Sequence, residues 1–336
     1  MRAIVATEPG VVEVHDGLAE PAAAPGEAVV AVRACGICGG DVDDFLHPEN
    51  APSNLPLIPG HEAWGEVTEV GDGVDRALVG TPVAIDPSLL CGNCRPCREG
   101  RGNVCENRRA IGVTEPGAWA EFVRVPAANL YRLEDDRLSG RLPVLIEPMA
   151  CALYGLERLE PQPGQRALVF GAGTMGLLLT LLLQDAGASA ITVVEPNSRR
   201  RARISELTSA VTLEPEELGD ERAERVIDAS GNVGAIGAAL ARVDHSGRML
   251  IFGLAPKSAT ITLEPYALLK RDISLVTAFA IRNTFARAVE QVARLAPVLS
   301  GLVTHEFPLA DHADAFAVLR DGSAVKVALT PGPSAG

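Results

Sequence analysis

Lysine is nearly absent. Only Lys257, Lys270 and Lys326 occur among 336 residues, and none precedes position 257. That excludes a GK[ST] phosphate-binding loop and leaves few side chains for Schiff-base chemistry. The N-terminal stretch MRAIVATEPGVVEV lacks the apolar core of a secretory signal. The uncharged run 167–183 is slightly short for a membrane span, and three glycines punctuate its first half. It reads better as a strand, a tight loop and a buried helix. Positive charge is also in deficit: 30 Lys and Arg against 43 Asp and Glu, a net charge of −13. Such a surface repels phosphate backbones and anionic lipid, so neither nucleic acid nor membrane is an expected partner. Without an export signal the expected compartment is the reducing cytoplasm. Clustered cysteines there point to metal rather than disulfides.

What is present supports a large core. The chain is 47% hydrophobic and 22% charged, enough for two domains or one large α/β unit. Up to about residue 145, short apolar runs such as EAVVAVRA, TPVAID and AEFVRVP alternate with Gly and Pro, which predicts strands joined by turns. From about 146, RALVFGAGTMGLLLTLLLQDAGA, AITVVEPNSRRRARISEL and RVIDASG alternate strands with helices, the rhythm of a parallel sheet. The tail predicts a helix and a final strand.

Four of the seven cysteines, Cys91, Cys94, Cys97 and Cys105, follow C-x2-C-x2-C-x7-C. One loop can thus supply four thiolates tetrahedrally to zinc. A local iron–sulfur motif places its last cysteine three residues on, before Pro; here the gap is seven and Glu106 follows. A redox dithiol leaves two of the four unexplained. Four thiolates close the shell, so this site is structural and any reactive metal lies elsewhere. Upstream stand Cys38 in CGICGGD and His61-Glu62 in PGHE; Glu147 follows in VLIEPMAC. One thiolate, one imidazole and one carboxylate make a three-ligand zinc site with an open position, the mark of a catalytic ion. Further on, Gly171, Gly173 and Gly176 form G-x-G-x-x-G between an apolar strand and an apolar helix. This pattern suits a dinucleotide pyrophosphate at a helix N-terminus. Glu195, nineteen residues after Gly176 at the end of the next strand, can accept hydrogen bonds from ribose hydroxyls and favours NAD over NADP. Arg199, Arg200 and Arg201 follow at once and pull the other way.

In these motifs, and in their order, the chain resembles the zinc-dependent medium-chain dehydrogenase/reductases, most of all their polyol, threonine and glucose dehydrogenase branch. The resemblance implies an α/β fold: a GroES-like, mostly-β catalytic domain over 1–145 carrying both zinc sites, a Rossmann doubly wound parallel-sheet cofactor domain over 146–285, and a return to the catalytic domain over 286–336. It implies two zinc ions per chain and hydride transfer between a small-molecule secondary alcohol and NAD, in the cleft between the domains. A homodimer or homotetramer is expected. Cys38, His61 and Glu147 would be zinc ligands, with Cys151 an alternative to Glu147. Glu62 would be a ligand or exchange with zinc-bound water, and Asp41 would accept a hydrogen bond from His61. Arg200 would help hold the ribose. Met175 would belong to the cofactor-binding loop, and Phe252, Gly253, Leu254 and Thr277 would line the nicotinamide pocket or pack the sheet end. Phe45 and Trp119 would line the substrate pocket or the core, and Cys35 would be a small buried side chain. His47, His245, His305 and His312 receive no role. One departure stands out. Many relatives carry Ser or Thr two residues after the first cysteine ligand to pass the substrate proton outward, whereas this chain has Gly40. The proton then leaves through ordered water or through Glu62. The rival readings are a zinc-free quinone or enoyl reductase and a non-catalytic nucleotide-binding protein on the same fold.

Overall fold

The computed structural model describes residues 1–46, 52 and 54–332; His47 lies outside them. The chain forms two compact units, Met1–Ala150 together with Ile281–Gly336, and Cys151–Ala280.

The first unit is built on a seven-stranded sheet. Its order runs Val303–Pro308, Lys326–Thr330, Glu27–Gly36, Glu62–Val70, Pro82–Ile85 and Leu130–Arg132, with Phe122–Pro126 also pairing with Glu27–Gly36. The Ala- and Val-rich strand Glu27–Gly36 is buried along most of its length, as suits a central strand with neighbours on each side. Trp119, Val30, Val67, Ile85, Phe316 and Leu329 meet in the core beside it. The register matters for function. Gly36 lies across from Glu62 on one side and from Ala328 on the other, and the Ile37 N–H donates to the Val327 carbonyl at 3.0 Å. Antiparallel pairing therefore brings the start of one strand, the end of the central strand and the C-terminal strand to one edge of the sheet. Cys38, Glu62 and Lys326 become neighbours although nearly three hundred residues separate the first from the last.

The second unit is a six-stranded parallel sheet ordered Val211–Leu213, Ala190–Val194, Arg166–Phe170, Ala223–Asp228, Val243–Ile251, Ser274–Thr277. Counted along the chain this is 3-2-1-4-5-6, the doubly wound order, whose ligand crevice opens where the winding reverses. The uncharged run resolves into the strand Arg166–Phe170, a glycine loop and the helix Thr174–Asp185, buried from Gly176 to Leu183. Among the described residues no helix is long and apolar enough to cross a membrane.

Candidate active site

The loop around Cys91–Cys105 gathers the four thiols within 4.8 Å of one another. Cys94 and Cys105 sulfurs lie 3.8 Å apart, and Cys105 and Cys91 sulfurs 3.5 Å. A tetrahedron with zinc–sulfur bonds of about 2.3 Å has edges of roughly 3.8 Å, so the donor set fits zinc. Backbone N–H groups of Cys94 and Asn107 donate to the sulfurs of Cys91 and Cys105, each at 3.4 Å. Hydrogen bonds from the Asn93 and Cys94 backbone pull the Cys91 thiol down to about 6. Desolvation, with its neighbouring thiols, pushes Cys97 up to about 12. One thiolate forms readily in this loop, and a cation is needed to hold the rest.

A second cluster joins Cys38, His61 and Glu62, whose donor atoms also lie within 4.8 Å of one another. Each is placed by local structure. Cys38 follows the central strand and precedes the helix Gly39–Leu46. His61 follows Gly60, whose φ of +99° is left-handed and whose missing side chain leaves room for the Trp119 ring. Asp41, in the first helical turn, joins the two. Its Oδ2 accepts from the Cys38 backbone N–H at 2.9 Å, and its Oδ1 stands 3.4 Å from His61 Nδ1. This would leave Nε2 to face a metal. Burial disfavours the His61 imidazolium, but Asp41 and Cys38 outweigh it and raise the ring well above its usual range in the metal-free protein. An electron-rich cradle of this kind holds a cation when no proton is there.

Behind Glu62 lies a partner that sequence reasoning missed. Its carboxylate pairs with Lys326, and the Lys326 ammonium also donates to the Ile37 carbonyl at 3.0 Å. Both side chains are almost wholly buried. Desolvation alone would depress the lysine; Glu62 first, then Cys38 and Glu147, hold it charged and raise it. A side chain at Gly36 would collide with both partners, so this glycine keeps open the space that the pair fills. The only available signal was a lone lysine inside the apolar strand Lys326–Thr330. Glu147 opens the helix Ile146–Leu159 and acts on Lys326 electrostatically, but it is not part of the three-residue cluster. Cys151 lies one turn further along that helix. Phe45 and Trp119 are core residues: both are buried, with ring centroids 6.3 Å apart. Cys35 is fully buried, and desolvation drives its thiol far up, so it stays protonated.

In the second unit, Gly171, Gly173, Glu195 and Arg200 line a single cavity of about 590 Å³. Gly171 has φ +102°. A side chain at Gly176 would strike the Gly171 carbonyl, which is the close loop–helix packing expected there. Gly173 needs glycine for neither reason: its backbone is extended, and a side chain would meet no protein atom within 4 Å. That open cradle at a helix N-terminus suits a bound diphosphate. Glu195 caps the loop, its carboxylate accepting from Ala172 N at 2.8 Å and Asn197 N at 2.9 Å. The three arginines divide. Arg199 is exposed, Arg201 binds the Glu195 and Pro196 carbonyls, and only Arg200 faces the cavity, with its buried Nε lacking an acceptor. Leu254 and Thr277 are exposed, and Met175 is half-buried beside Gly176.

Comparison with known proteins agrees with this geometry. Residues 24–135 match the alcohol dehydrogenase GroES-like domain. D-altritol 5-dehydrogenase of Agrobacterium fabrum (strain C58 / ATCC 33970) is 34% identical, covering 85% of this chain and 87% of its own. L-threonine 3-dehydrogenase of Caldanaerobacter subterraneus subsp. tengcongensis is 31% identical over 93% of both chains. A protein of Sinorhizobium meliloti 1021, solved with NADP bound, superposes with a TM-score of 0.92 at 28% identity, covering 98% of this chain and 99% of that one. A zinc-free reductase or a non-catalytic protein is not favoured by these relatives. With a GroES-like unit, a doubly wound sheet and two clusters of metal-ligating side chains, the chain belongs to the zinc-dependent medium-chain dehydrogenase/reductases, in their polyol and threonine dehydrogenase branch, and is a nicotinamide-dependent alcohol dehydrogenase.

Proposed function

We propose that this enzyme oxidises a polyhydroxylated secondary alcohol (a polyol, cyclitol or sugar-like compound) to the ketone with NAD⁺, using one zinc ion in each of its two clusters. The observation that carries this reading is the gathering of Cys38, His61 and Glu62 donor atoms around one point, with Asp41 orienting the imidazole. Zinc there supplies Lewis acidity, which lowers the pKa of an alcohol hydroxyl. A bound nicotinamide would accept the carbinol hydride, and the hydroxyl proton would go to solvent. The chain's own part is to bind and orient. Asp41 keeps Nε2 of His61 free for the ion, and Glu147 adds negative charge to the surroundings of Lys326. Gly173 and its helix receive the pyrophosphate, and Glu195 accepts from the ribose hydroxyls. Gly40 carries no hydroxyl, so the proton leaves through Glu62 or ordered water; the Lys326 pair must loosen for Glu62 to take part. A Glu62→Gln variant with unchanged turnover and pH profile would rule out the carboxylate route.

A second cofactor reading rests on Arg200: its orphaned Nε at the cavity would suit a 2′-phosphate, and the Sinorhizobium protein carries NADP. We favour NAD because Glu195, beside it, repels that phosphate. Glu195→Ala should shift preference toward NADP⁺; an unchanged ratio would overturn the assignment.

The outer edge of Ser274–Thr277 has no partner strand among the described residues. The preceding helix Pro265–Arg271 exposes Tyr266 and Leu269 at 75% and 76%. An open strand edge beside apolar side chains supports a homo-oligomer assembled there. Sedimentation of a Tyr266→Asp, Leu269→Asp variant tests it, with a shift to monomer expected. We place the enzyme in the cytoplasm. The activity itself is tested by NADH formation across polyols, cyclitols, acyclic diols and threonine. Oxidation of a polyol, seen as NADH formation, is expected. No turnover by a preparation holding zinc in both clusters would overturn the proposal.

A further inference from the structure

The four-cysteine loop is bonded to the segment where the chain re-enters the first unit, Ile281–Phe285. Arg282 Nε donates to the Gly100 carbonyl at 3.0 Å, and Asn283 Nδ2 reaches the same oxygen at 3.4 Å. One carbonyl has lone pairs for two donors. Gly100 is itself held by the loop, since its N–H donates to the Cys97 carbonyl at 3.1 Å. Asn283 is left-handed with φ +55°, a conformation that asparagine adopts more readily than most non-glycine residues, and its side chain holds this turn against the loop. The next residue, Thr284, is fully buried and donates its hydroxyl to the Ala150 carbonyl at 2.7 Å. Ala150 lies one turn after Glu147 in the helix Ile146–Leu159. The turn Leu142–Leu145 that leads into this helix packs on the strands Glu27–Gly36 and Glu62–Val70, the first ending two residues before Cys38 and the second beginning at Glu62, and Glu147 acts electrostatically on Lys326, the partner of Glu62. Every one of these contacts lies inside the first unit.

We propose that Arg282, Asn283 and Thr284 are positioning residues that couple the four-cysteine loop to the open metal cluster, so that metal in the loop fixes the first turn of the Glu147 helix. The physical basis is the contrast in what each link can absorb. Four thiols without metal lose the cross-link that orders their loop, and Gly100 then no longer presents a fixed carbonyl. Arg282 and Asn283 lose their common acceptor, and the turn at Asn283 is freed to move. Thr284 has a single buried acceptor, so its movement is passed to Ala150 rather than dissipated in solvent. The coupling deepens the proposed function and rests on its assignment of a metal to each cluster.

The test is a double-mutant cycle of Cys97→Ser and Thr284→Val, read by amide hydrogen exchange and metal content on the full-length protein. Cys97→Ser should speed exchange at 281–285 and at 146–150 by roughly fivefold or more, the scale of losing one or two hydrogen bonds. It should also shift the visible spectrum of Co²⁺ placed in the Cys38–His61 cluster. In the double variant, exchange at 281–285 should still rise, while 146–150 and the cobalt spectrum change no further than in Thr284→Val alone. Thr284→Ser keeps the hydroxyl and should behave as wild type. The Arg282→Ala, Asn283→Ala variant keeps all four thiols and should reproduce the faster exchange at 146–150, which covers the case of an unstable Cys97→Ser protein. Unchanged exchange at 146–150 in that variant, or additive effects in the cycle, would overturn the coupling. A wild-type count short of one metal per cluster would overturn the two-metal reading beneath it, and the coupling with it.

Discussion

The two thiol-bearing clusters of the first unit differ in how they are made. The Cys91–Cys105 loop draws its four donors from fifteen consecutive residues, all of one kind, and closes the coordination shell. The Cys38–His61–Glu62 cluster draws three kinds of donor from separate strand ends brought together by sheet register, and leaves a position open. A local, uniform set can order a loop but has no place for a substrate. A scattered, mixed set costs long-range organisation and gains a vacancy, an oriented imidazole and a charged surround. On the proposed reading, structure and reactivity fall to different clusters built from the same chemistry of thiolate and metal.

The strongest way to break this distinction is to remove one cysteine from each. Cys38→Ser should lower kcat/KM by at least about a thousandfold, the scale of a Lewis acid's several kcal/mol, with little change in melting temperature. Cys97→Ser should do the reverse, with a marked loss of thermal stability and a smaller change in kcat/KM for the folded fraction. Equal losses of activity from the two would erase the division of labour.

The buried Lys326–Glu62 pair marks the open cluster further. Lys326→Met strands the Glu62 carboxylate in the interior and should cost roughly 3–5 kcal/mol in urea unfolding. Adding Glu62→Gln should restore much of that loss, because a neutral amide no longer needs the ammonium. A Lys326→Met protein of wild-type stability would show that the carboxylate is not confined as described. A smaller effect is expected at Asp41. Asp41→Asn should weaken metal binding at the His61 cluster by about 10–100-fold and leave the four-cysteine loop loaded, as metal analysis after dialysis against a chelator would record.

The smallest expected difference is in pH dependence. In the metal-free protein His61 is raised above its ordinary value. Its contribution to stability is therefore present below about 6.5, the ordinary histidine value, and fades as pH climbs through the raised one. Metal binding runs the other way: each proton that must leave weakens binding by about tenfold per pH unit below its pKa. Competition at this cluster should thus begin above pH 6.5. By the same rule the four-thiol loop, where Cys91 is pulled down to about 6 but Cys97 is pushed up to about 12, gives up more protons per ion. Competitive zinc titration across pH should therefore show the steeper loss of affinity on acidification in the four-cysteine loop. Equal slopes would remove this distinction.

What could be read from residues alone follows the same division. The four-cysteine spacing, the glycine motif and Glu195 are local signals, each explained by one loop or one strand–helix turn. Alternating strands and helices over RALVF, AITVV and RVID announced the parallel sheet. Lys326 was invisible as a partner of Glu62, because the pair depends on the C-terminal strand lying beside Gly36, a matter of register rather than composition. The arginine run was equally ambiguous. Only helix geometry separates Arg200, which faces the cavity, from Arg201, which is spent on carbonyl oxygens. The exit from the first unit falls between Ala150 and Cys151, inside the helix Ile146–Leu159 and a few residues past the change of texture near 146, because a helix carries no break in pattern at a domain boundary it crosses.

Anomalous diffraction at the zinc edge from crystals of the holoenzyme tests the central claim most directly. Two peaks per chain are expected, one ringed by four sulfurs at about 2.3 Å and one within about 2.0–2.3 Å of Cys38 Sγ and His61 Nε2 with a position left for solvent or substrate. A single peak, confined to the four-cysteine loop in an enzyme that turns over, would contradict it.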